Sequence, residues 1–255
     1  MSLLACHDLT VTVGGKRVCA GLNLSFAPGQ CWGLLGANGT GKTTLLHTLA
    51  GLRLPAGGEV RLRQRPLQTL PRRELARLLG LLPQDSQDPL PATVLETALI
   101  GRHPHLPAWR WESEDDLALA RAALAAVELD GAERRQVDTL SGGERRRLAV
   151  ATLLTQAPLV CLLDEPANHL DLRHQISLLE LLRRRARDHG GLLLMSLHDL
   201  NLAARFCDHL LLLFGDGETM AGPAERMLKP EHLKRLYGHP IVLVDDSGRR
   251  AFIPG

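Results

Sequence analysis

The residues from Gly36 to Thr43 constrain the fold of this chain more than any other stretch. They fit the pattern G-x-x-x-x-G-K-[ST], which is typical of a loop that binds phosphate groups. The apolar run from Cys31 to Leu35 predicts a buried strand before the loop, and Thr43 to Leu49 predicts a helix after it. Glycines let such a loop turn its amide groups inward, and the helix dipole adds a positive end. The stretch therefore predicts an anion site between a strand and a helix.

Two side chains of this loop are expected to act on the phosphates directly. The pattern predicts that Lys42 reaches the β- and γ-phosphates of a nucleotide and that the Thr43 hydroxyl binds Mg²⁺. An ordinary glycine-rich turn beside a lysine is the alternative, and the strand and helix around the loop disfavour it. The other residues predicted to contact the nucleotide here are Gly36, Ala37, Asn38, Gly39, Thr40, Gly41 and Thr44.

Composition and charge exclude some classes of partner. Aromatic residues make up only 3% of the 255 residues, so base stacking on an aromatic platform is not expected. The formal net charge of +2 gives no electrostatic reason to expect nucleic acid. The basic runs Arg145–Arg147 and Arg183–Arg185 lie in helical patterns, and both are predicted to be solvated helix faces.

Cysteine usage and hydropathy indicate the compartment. The five cysteines are scattered and lack the spacing of a metal site, so a reducing cytoplasm is expected. No apolar run reaches the roughly 18 residues of a membrane span. We therefore expect a soluble chain that works at a membrane only through a partner.

The order of apolar patterns predicts an α/β protein with an added β piece and an inserted helical piece. Leu3 to Phe26 alternates around Gly14-Gly15, which predicts a hairpin. Only helical patterns occur between about residues 85 and 156, and strands alternate with helices afterwards, which predicts a parallel sheet. The expected units are a nucleotide-binding core of residues 1–85 and 157–225, a helical subdomain of 86–156, and C-terminal helices and a hairpin in 226–255.

Two acidic residues follow the apolar strand pattern Leu159–Leu163. Ligands of open α/β sheets bind at the carboxyl ends of the strands. Asp164 is therefore predicted to hold Mg²⁺, and Glu165 to act as the general base that activates water. The alternative is a surface acidic pair that caps the next helix, and the phosphate loop on the same chain disfavours it.

A second anion site is predicted at the start of another helix. Ser141 can cap that helix, and the amides of Gly142 and Gly143 are unobstructed by side chains. Where such a site cannot reach the first loop within one molecule, a head-to-tail dimer can bring the two together.

These motifs, in this order, resemble the nucleotide-binding subunits of ABC transporters over nearly the full chain. The signature motif usually ends in Gln and here ends in Glu. The matching residues are Gly36–Thr43 for Walker A, Gln84 for the Q-loop, Leu140–Glu144 for the signature, Asp164 and Glu165 for Walker B and its catalytic glutamate, Asn168–Asp171 for the D-loop, and His198 for the switch histidine.

The resemblance implies a P-loop NTPase (RecA-like) core with an N-terminal antiparallel β subdomain and an inserted α-helical subdomain. It also implies Mg²⁺-dependent ATP hydrolysis in a head-to-tail homodimer, with each ATP between one Walker A and the other signature. Gln84 would ligate Mg²⁺ and transmit its position to a membrane permease. His198 would contact the γ-phosphate and hold the attacking water, and Asp171 would serve communication between the two copies.

One departure from the family concerns the nucleotide base. The family usually stacks adenine on an aromatic residue in the N-terminal hairpin, where this chain has Val13. Losing that stack is expected to weaken adenine binding by roughly 1–3 kcal/mol. Trp32 is predicted to lie too deep in its strand to substitute.

Several stretches are similar to importers of metal chelates (ferric siderophores, haem or cobalamin), including Thr93–His105, Asn168–Gln175 and His198–Arg205. We therefore expect a peripheral subunit at the cytoplasmic face of the inner membrane, paired with permease subunits and indirectly with a substrate-binding protein. The alternatives are a cassette of another ABC transporter, including an exporter, and a soluble ABC ATPase. A P-loop kinase would explain the phosphate loop but neither the signature nor His198.

Overall fold

The first part of the chain forms a hairpin, the phosphate loop and the helix after it. The computed structural model describes residues 2–84, 91–107, 110–246 and 249–255. Gly14-Gly15 joins the first two strands, as the alternating pattern predicted. The elements in chain order are β1 (Leu4–Val13), β2 (Lys16–Phe26), β3 (Cys31–Leu35), α1 (Lys42–Leu49), β4 (Gly57–Leu62), β5 (Arg65–Pro66), α2 (Arg72–Leu78) and β6 (Leu79–Leu82).

The next segment is helical in the part that the structure describes. Its helices are α3 (Val94–Leu99), α4 (Glu114–Ala126) and α5 (Gly142–Gln156). Each begins with a capping box, in which a Thr or Ser side chain and the acidic residue three positions later satisfy each other's backbone amides. The sequence predicts a helix from Ser113 to Leu129, and α4 ends earlier, at Ala126, because Glu128 has a positive φ of 57°. The sequence also predicts a loop from Gly101 to Trp111, of which Ala108 and Trp109 lie outside the described residues.

Strands and helices alternate in the remaining chain. The sequence predicts, for example, a helix over Leu172–Arg187 and strands over Gly191–Ser196 and His209–Phe214, and the observed elements differ from these only by small shifts at their ends. The C-terminal hairpin is predicted to turn at Ser247-Gly248, and these two residues lie outside the described residues. The elements are β7 (Val160–Leu163), α6 (Leu172–Asp188), β8 (Leu192–Ser196), α7 (Leu200–Phe206), β9 (His209–Leu213), β10 (Thr219–Pro223), α8 (Ala224–Met227), α9 (Pro230–Tyr237), β11 (Ile241–Asp246) and β12 (Arg249–Pro254).

The central sheet has the order β10-β9-β3-β8-β7-β6, and only the edge strand β10 is antiparallel within it. A separate antiparallel sheet has the order β2-β1-β4-β5. Because β3, β8 and β7 are neighbours, the segments that follow their carboxyl ends meet at one edge. Those segments carry the phosphate loop, the acidic pair and His198.

The central sheet is buried on both faces. Along β3, Cys31 and Leu35 pack into one cluster with the helices α5, α6 and α7, while Trp32 and Leu34 pack into a second with α1 and the antiparallel sheet. This explains the continuous apolar strand patterns, since a strand covered on both faces has no polar side. No helix in the described part of the chain is both long and apolar enough to span a bilayer.

Candidate nucleotide-binding and catalytic site

The phosphate loop is shaped by glycines that tolerate no side chain. Gly41 has a φ of 97°, and a Cβ there would lie 2.4 Å from Val18 Cγ2. A Cβ on Gly36 would lie 2.9 Å from the backbone oxygen of Leu213. No side chain caps the start of α1, so its first amide groups are left to a ligand. The loop therefore has a form in which its amides can face an anion, and phosphate binding there stays a prediction.

Lys42 folds back over this loop. Its side chain is largely buried, and its ammonium group donates to the backbone oxygens of Gly36 at 2.8 Å and Ala37 at 3.3 Å. Burial lowers the pKa of Lys42, while the nearby carboxylates of Glu165 and Asp164 oppose that shift. The cation is thus held beside the loop, between the candidate phosphate site and the acidic pair.

Asp164 joins three segments that are distant in sequence. It is fully buried; its Oδ2 accepts from the Thr43 hydroxyl at 2.5 Å and its Oδ1 from the Ser196 hydroxyl at 2.5 Å. Mg²⁺ prefers oxygen ligands such as hydroxyl and carboxylate groups, so the side chains of Thr43 and Asp164 fit that ion. Gln84, the third predicted ligand, has an exposed side chain that makes no hydrogen bond within the described residues.

Glu165 is buried and has an unusual backbone conformation, with a φ of 51°. One carboxylate oxygen lies in hydrogen-bond contact with His198 Nε2, and the other accepts from the side-chain amide of Asn168. The backbone amide of Glu165 donates to the Ser196 hydroxyl at 2.8 Å. A cavity of about 100 Å³ opens beside Glu165 and His198, enough for a few water molecules. The alternative of a surface acidic pair is excluded by this burial.

The predicted solvated face at Arg145–Arg147 is wrong for its middle residue. Arg146 is buried, and its guanidinium donates to the backbone oxygens of Pro83, Gln84, Asp164, Glu165 and Pro166 at 2.5–3.2 Å. It thereby ties α5 to the ends of β6 and β7. Sequence reasoning missed this residue, although Arg146 lies one helical turn before the buried Val150 and so on the apolar face.

The signature segment has the predicted capped form. Ser141 Oγ accepts from the amide of Glu144 at 3.2 Å, and Glu144 Oε2 accepts from the amide of Ser141 at 2.8 Å. Among the described residues, no hydrogen bond links Ser141, Gly142 or Gly143 to the phosphate loop. The two predicted anion sites therefore do not meet through hydrogen bonds within one molecule.

Asp171 caps α6, since its Oδ1 accepts from the amide of His174 at 2.9 Å. That hydrogen bond lowers the pKa of Asp171, and the His174 side chain adds to the shift. The residue is exposed, as a contact to another chain requires.

The position predicted to stack the nucleotide base lies at the end of the hairpin strand β1 and carries no aromatic ring. Val13 is half-buried at the end of β1. Trp32 is buried and stacks on His209 with ring centres 4.7 Å apart, so it cannot substitute, as predicted.

Comparison with known proteins identifies relatives over most of the chain. The ABC transporter family model matches residues 19–168. The ferric enterobactin transport ATP-binding protein FepC of Escherichia coli K12 is 40% identical over 94% of this chain and 89% of its own length. The hemin import ATP-binding protein HmuV of Pseudomonas entomophila is 38% identical over 94% of both.

Solved structures agree with this similarity. A chain of an ABC transporter described as of metal-chelate type, in an inward-facing conformation, superposes with a TM-score of 0.87 at 26% identity and covers 100% of this chain and 98% of that one. The ATP-binding cassette MJ0796, dimeric and bound to ADP and Pi, gives a TM-score of 0.75 at 25% identity over 87% and 98% of the two chains. The predicted P-loop NTPase core is confirmed.

Proposed function

This chain belongs to the ABC transporter family and is an ATPase coupled to transport, and on that premise we propose that it powers import of a metal chelate. FepC and HmuV are named for ferric enterobactin and hemin, which supports a ferric siderophore or haem within the predicted cargo class of ferric siderophores, haem and cobalamin. This subunit does not select among those cargoes, because the cargo passes through a separate permease.

The phosphate groups of ATP would lie on the amides of the glycine loop, with the Lys42 cation against the β- and γ-phosphates. Thr43 and Asp164 would hold Mg²⁺ through the two oxygens that now share a hydrogen bond. When bound, Mg²⁺ would neutralise the charge that develops on the transferring phosphoryl group. Gln84, two residues after the end of β6, is proposed as a further Mg²⁺ ligand.

Glu165 would act as the general base. Its carboxylate would take the proton of the attacking water as oxygen bonds to the γ-phosphorus and the bond to ADP breaks. His198 contacts the same carboxylate and would orient the water beside the γ-phosphate. The observation that carries the ATPase assignment is the buried Glu165 carboxylate adjacent to Asp164, with a cavity of about 100 Å³ at its side.

Two copies are proposed to pair head-to-tail. The signature residues Ser141, Gly142 and Gly143 of one copy would complete the phosphate site of the other, with Asp171 at the contact between them. The dimeric state of the MJ0796 cassette supports this arrangement.

The proposed assembly is peripheral, at the cytoplasmic face of the inner membrane. Permease subunits would dock on the helical subdomain of residues 86–156, next to the core of residues 1–85 and 157–225. The C-terminal unit of residues 226–255 completes the proposed division. A substrate-binding protein would deliver the chelate on the opposite side.

The test is a tagged purification from gently solubilised cells, followed by ATPase and uptake assays. We expect a polytopic membrane protein in fixed ratio, ATP hydrolysis stimulated by a chelate-loaded binding protein, and loss of chelate uptake with Glu165→Gln. Co-purified ribosomal proteins, or export of a compound in place of uptake, would overturn the importer proposal.

A further inference from the structure

The signature segment carries a negative charge where a phosphate group is expected to arrive. Glu144 is the third residue of α5, and its Oε2 accepts from the amide of Ser141. An acidic side chain stabilises a helix N-terminus. It also opposes the approach of a second anion to the same amides, because like charges at close range repel.

Arg135 lies directly against this carboxylate. Its Nη1 donates to Glu144 Oε1 at 2.7 Å and its Nη2 to the backbone oxygen of Thr139 at 3.2 Å. The Glu144 side chain is 24% exposed, so the pair lies at the surface next to the capped helix end. One guanidinium therefore contacts both the carboxylate and the loop that leads into the signature.

Protonation cannot remove the charge of Glu144 near neutral pH. The Arg135 hydrogen bond, together with the Ser141 amide, lowers the pKa of Glu144 to about 2. The carboxylate is therefore ionised under all physiological conditions. The charge of Glu144 is instead compensated by a neighbouring cation, the Arg135 guanidinium.

We propose that Arg135 is a positioning residue for ATP hydrolysis. It neutralises the charge of Glu144, so that the signature amides attract the γ-phosphate of a nucleotide bound to the second copy. This inference rests on the proposed function, since it requires the head-to-tail pair. Arg135 acts through Glu144 and not on the nucleotide itself. It acts by holding Glu144 in the capping box and cancelling its charge.

The proposal differs from a purely structural role in two measurable ways. Repulsion between Glu144 and phosphate is weakened by salt, whereas a misplaced loop is not corrected by it. The repulsion also disappears when Glu144 becomes Gln, which keeps an oxygen for the Ser141 amide. A structural defect caused by loss of Arg135 would persist in that background.

The experiment measures the KM for ATP and kcat of the full chain for the parental protein, Arg135→Ala, Glu144→Gln and the double variant. We expect Arg135→Ala to raise the KM about threefold to tenfold with little change in kcat, which is typical for loss of one compensating charge near the surface. In the Glu144→Gln background, Arg135→Ala should change the KM by a factor of only about 1. In the original background, the factor should fall toward the same value as ionic strength rises from about 0.05 to about 0.5 M.

Arg121→Ala is the matched control, because Arg121 forms a comparable surface ion pair with Glu133 in the same segment at 3.3 Å. Its KM should equal the parental value. Where Arg135→Ala does not fold, Arg135→Gln removes the charge and keeps a donor for Thr139. An equal rise in both backgrounds, a salt-independent rise, or no rise would each overturn the proposal. A parental protein without ATP hydrolysis would instead overturn the proposed function itself.

Discussion

The Thr43 hydroxyl donates a 2.5 Å hydrogen bond to Oδ2 of Asp164, which lies 121 residues later in the chain. This contact joins the start of α1 to the carboxyl end of β7. Both oxygens are proposed to bind Mg²⁺. A substitution of either residue should therefore change the Mg²⁺ dependence of ATP hydrolysis more than it changes the affinity for the nucleotide.

Replacing Thr43 by Ala removes one of these two oxygen donors. We expect Mg²⁺-dependent ATP hydrolysis to fall at least about 10-fold, because even the loss of a group that only supports a metal ligand costs about 10–100-fold. A Mg²⁺ titration of the ATPase rate checks this, and Thr43→Ser, which keeps the hydroxyl, should stay within about threefold of the parental rate. Equal rates for the Ala and parental proteins would contradict the metal assignment.

Glu165→Gln should separate dimer closure from turnover. The amide cannot accept the proton of water, so hydrolysis should fall at least about 10²-fold. ATP should still bring two copies together, which size-exclusion chromatography with light scattering measures. Turnover at the parental rate would show that Glu165 is not the base.

Lys42→Ala provides the contrast, since it should weaken ATP binding itself. Unchanged ATP affinity would refute the role of the loop in binding phosphate.

Val13→Tyr should restore a stacking surface for adenine beside the loop. An aromatic ring there is expected to tighten ATP binding about tenfold, within the range known for base stacking on aromatic side chains. Equilibrium binding of ATP and of CTP checks this, because the purine should gain more. Val13→Leu controls for size alone. A gain from Leu as large as the gain from Tyr would refute stacking.

Arg146→Met should destabilise the chain, because it leaves a group of buried carbonyl oxygens without their donor. Each unsatisfied buried acceptor costs roughly 1–3 kcal/mol, and partial relaxation leaves an expected net loss of about 3 kcal/mol. Urea unfolding measures it. The control is Arg184→Met on the exposed face of α6, which should change stability by less than about 0.5 kcal/mol. Equal unfolding midpoints for the two variants would contradict a stabilising role for the hydrogen bonds of Arg146.

Asp116 should make stability depend on pH in a narrow acidic range. Hydrogen bonds from Ser113 and from the Arg102 guanidinium lower the pKa of Asp116 to about 2 from 3.8. The folded state therefore binds its proton less readily than the unfolded chain does. The stabilisation is complete above about pH 4 and is lost as the pH falls toward 2.

Asp116→Asn should accordingly cost about 1–2 kcal/mol at neutral pH, and the difference from the parental protein should narrow between about pH 4 and 2. Thermal unfolding across that range measures it. Asp115→Asn, at an exposed position in the same helical turn, should show neither effect. A difference that does not change with pH would show that the ion pair is not its cause.

Local patterns were enough to predict most elements and the chemistry of the loop. The capping boxes at Ser113 and Ser141 depend on residues three positions apart, and the buried strands depend on continuous apolar runs. Such features are set by near neighbours in the chain. The phosphate loop, the acidic pair and the signature were therefore found without any knowledge of the sheet order.

Tertiary structure decided which of these residues meet. Strand order places Ser196 against Asp164 and His198 against Glu165, and no spacing along the chain encodes that order. Burial of Arg146 was decided in the same way, because the carbonyl oxygens that bind it come from two strand ends brought together by packing. The sequence by itself determined the local chemistry and the family; packing over long separations decided how that chemistry is assembled and held.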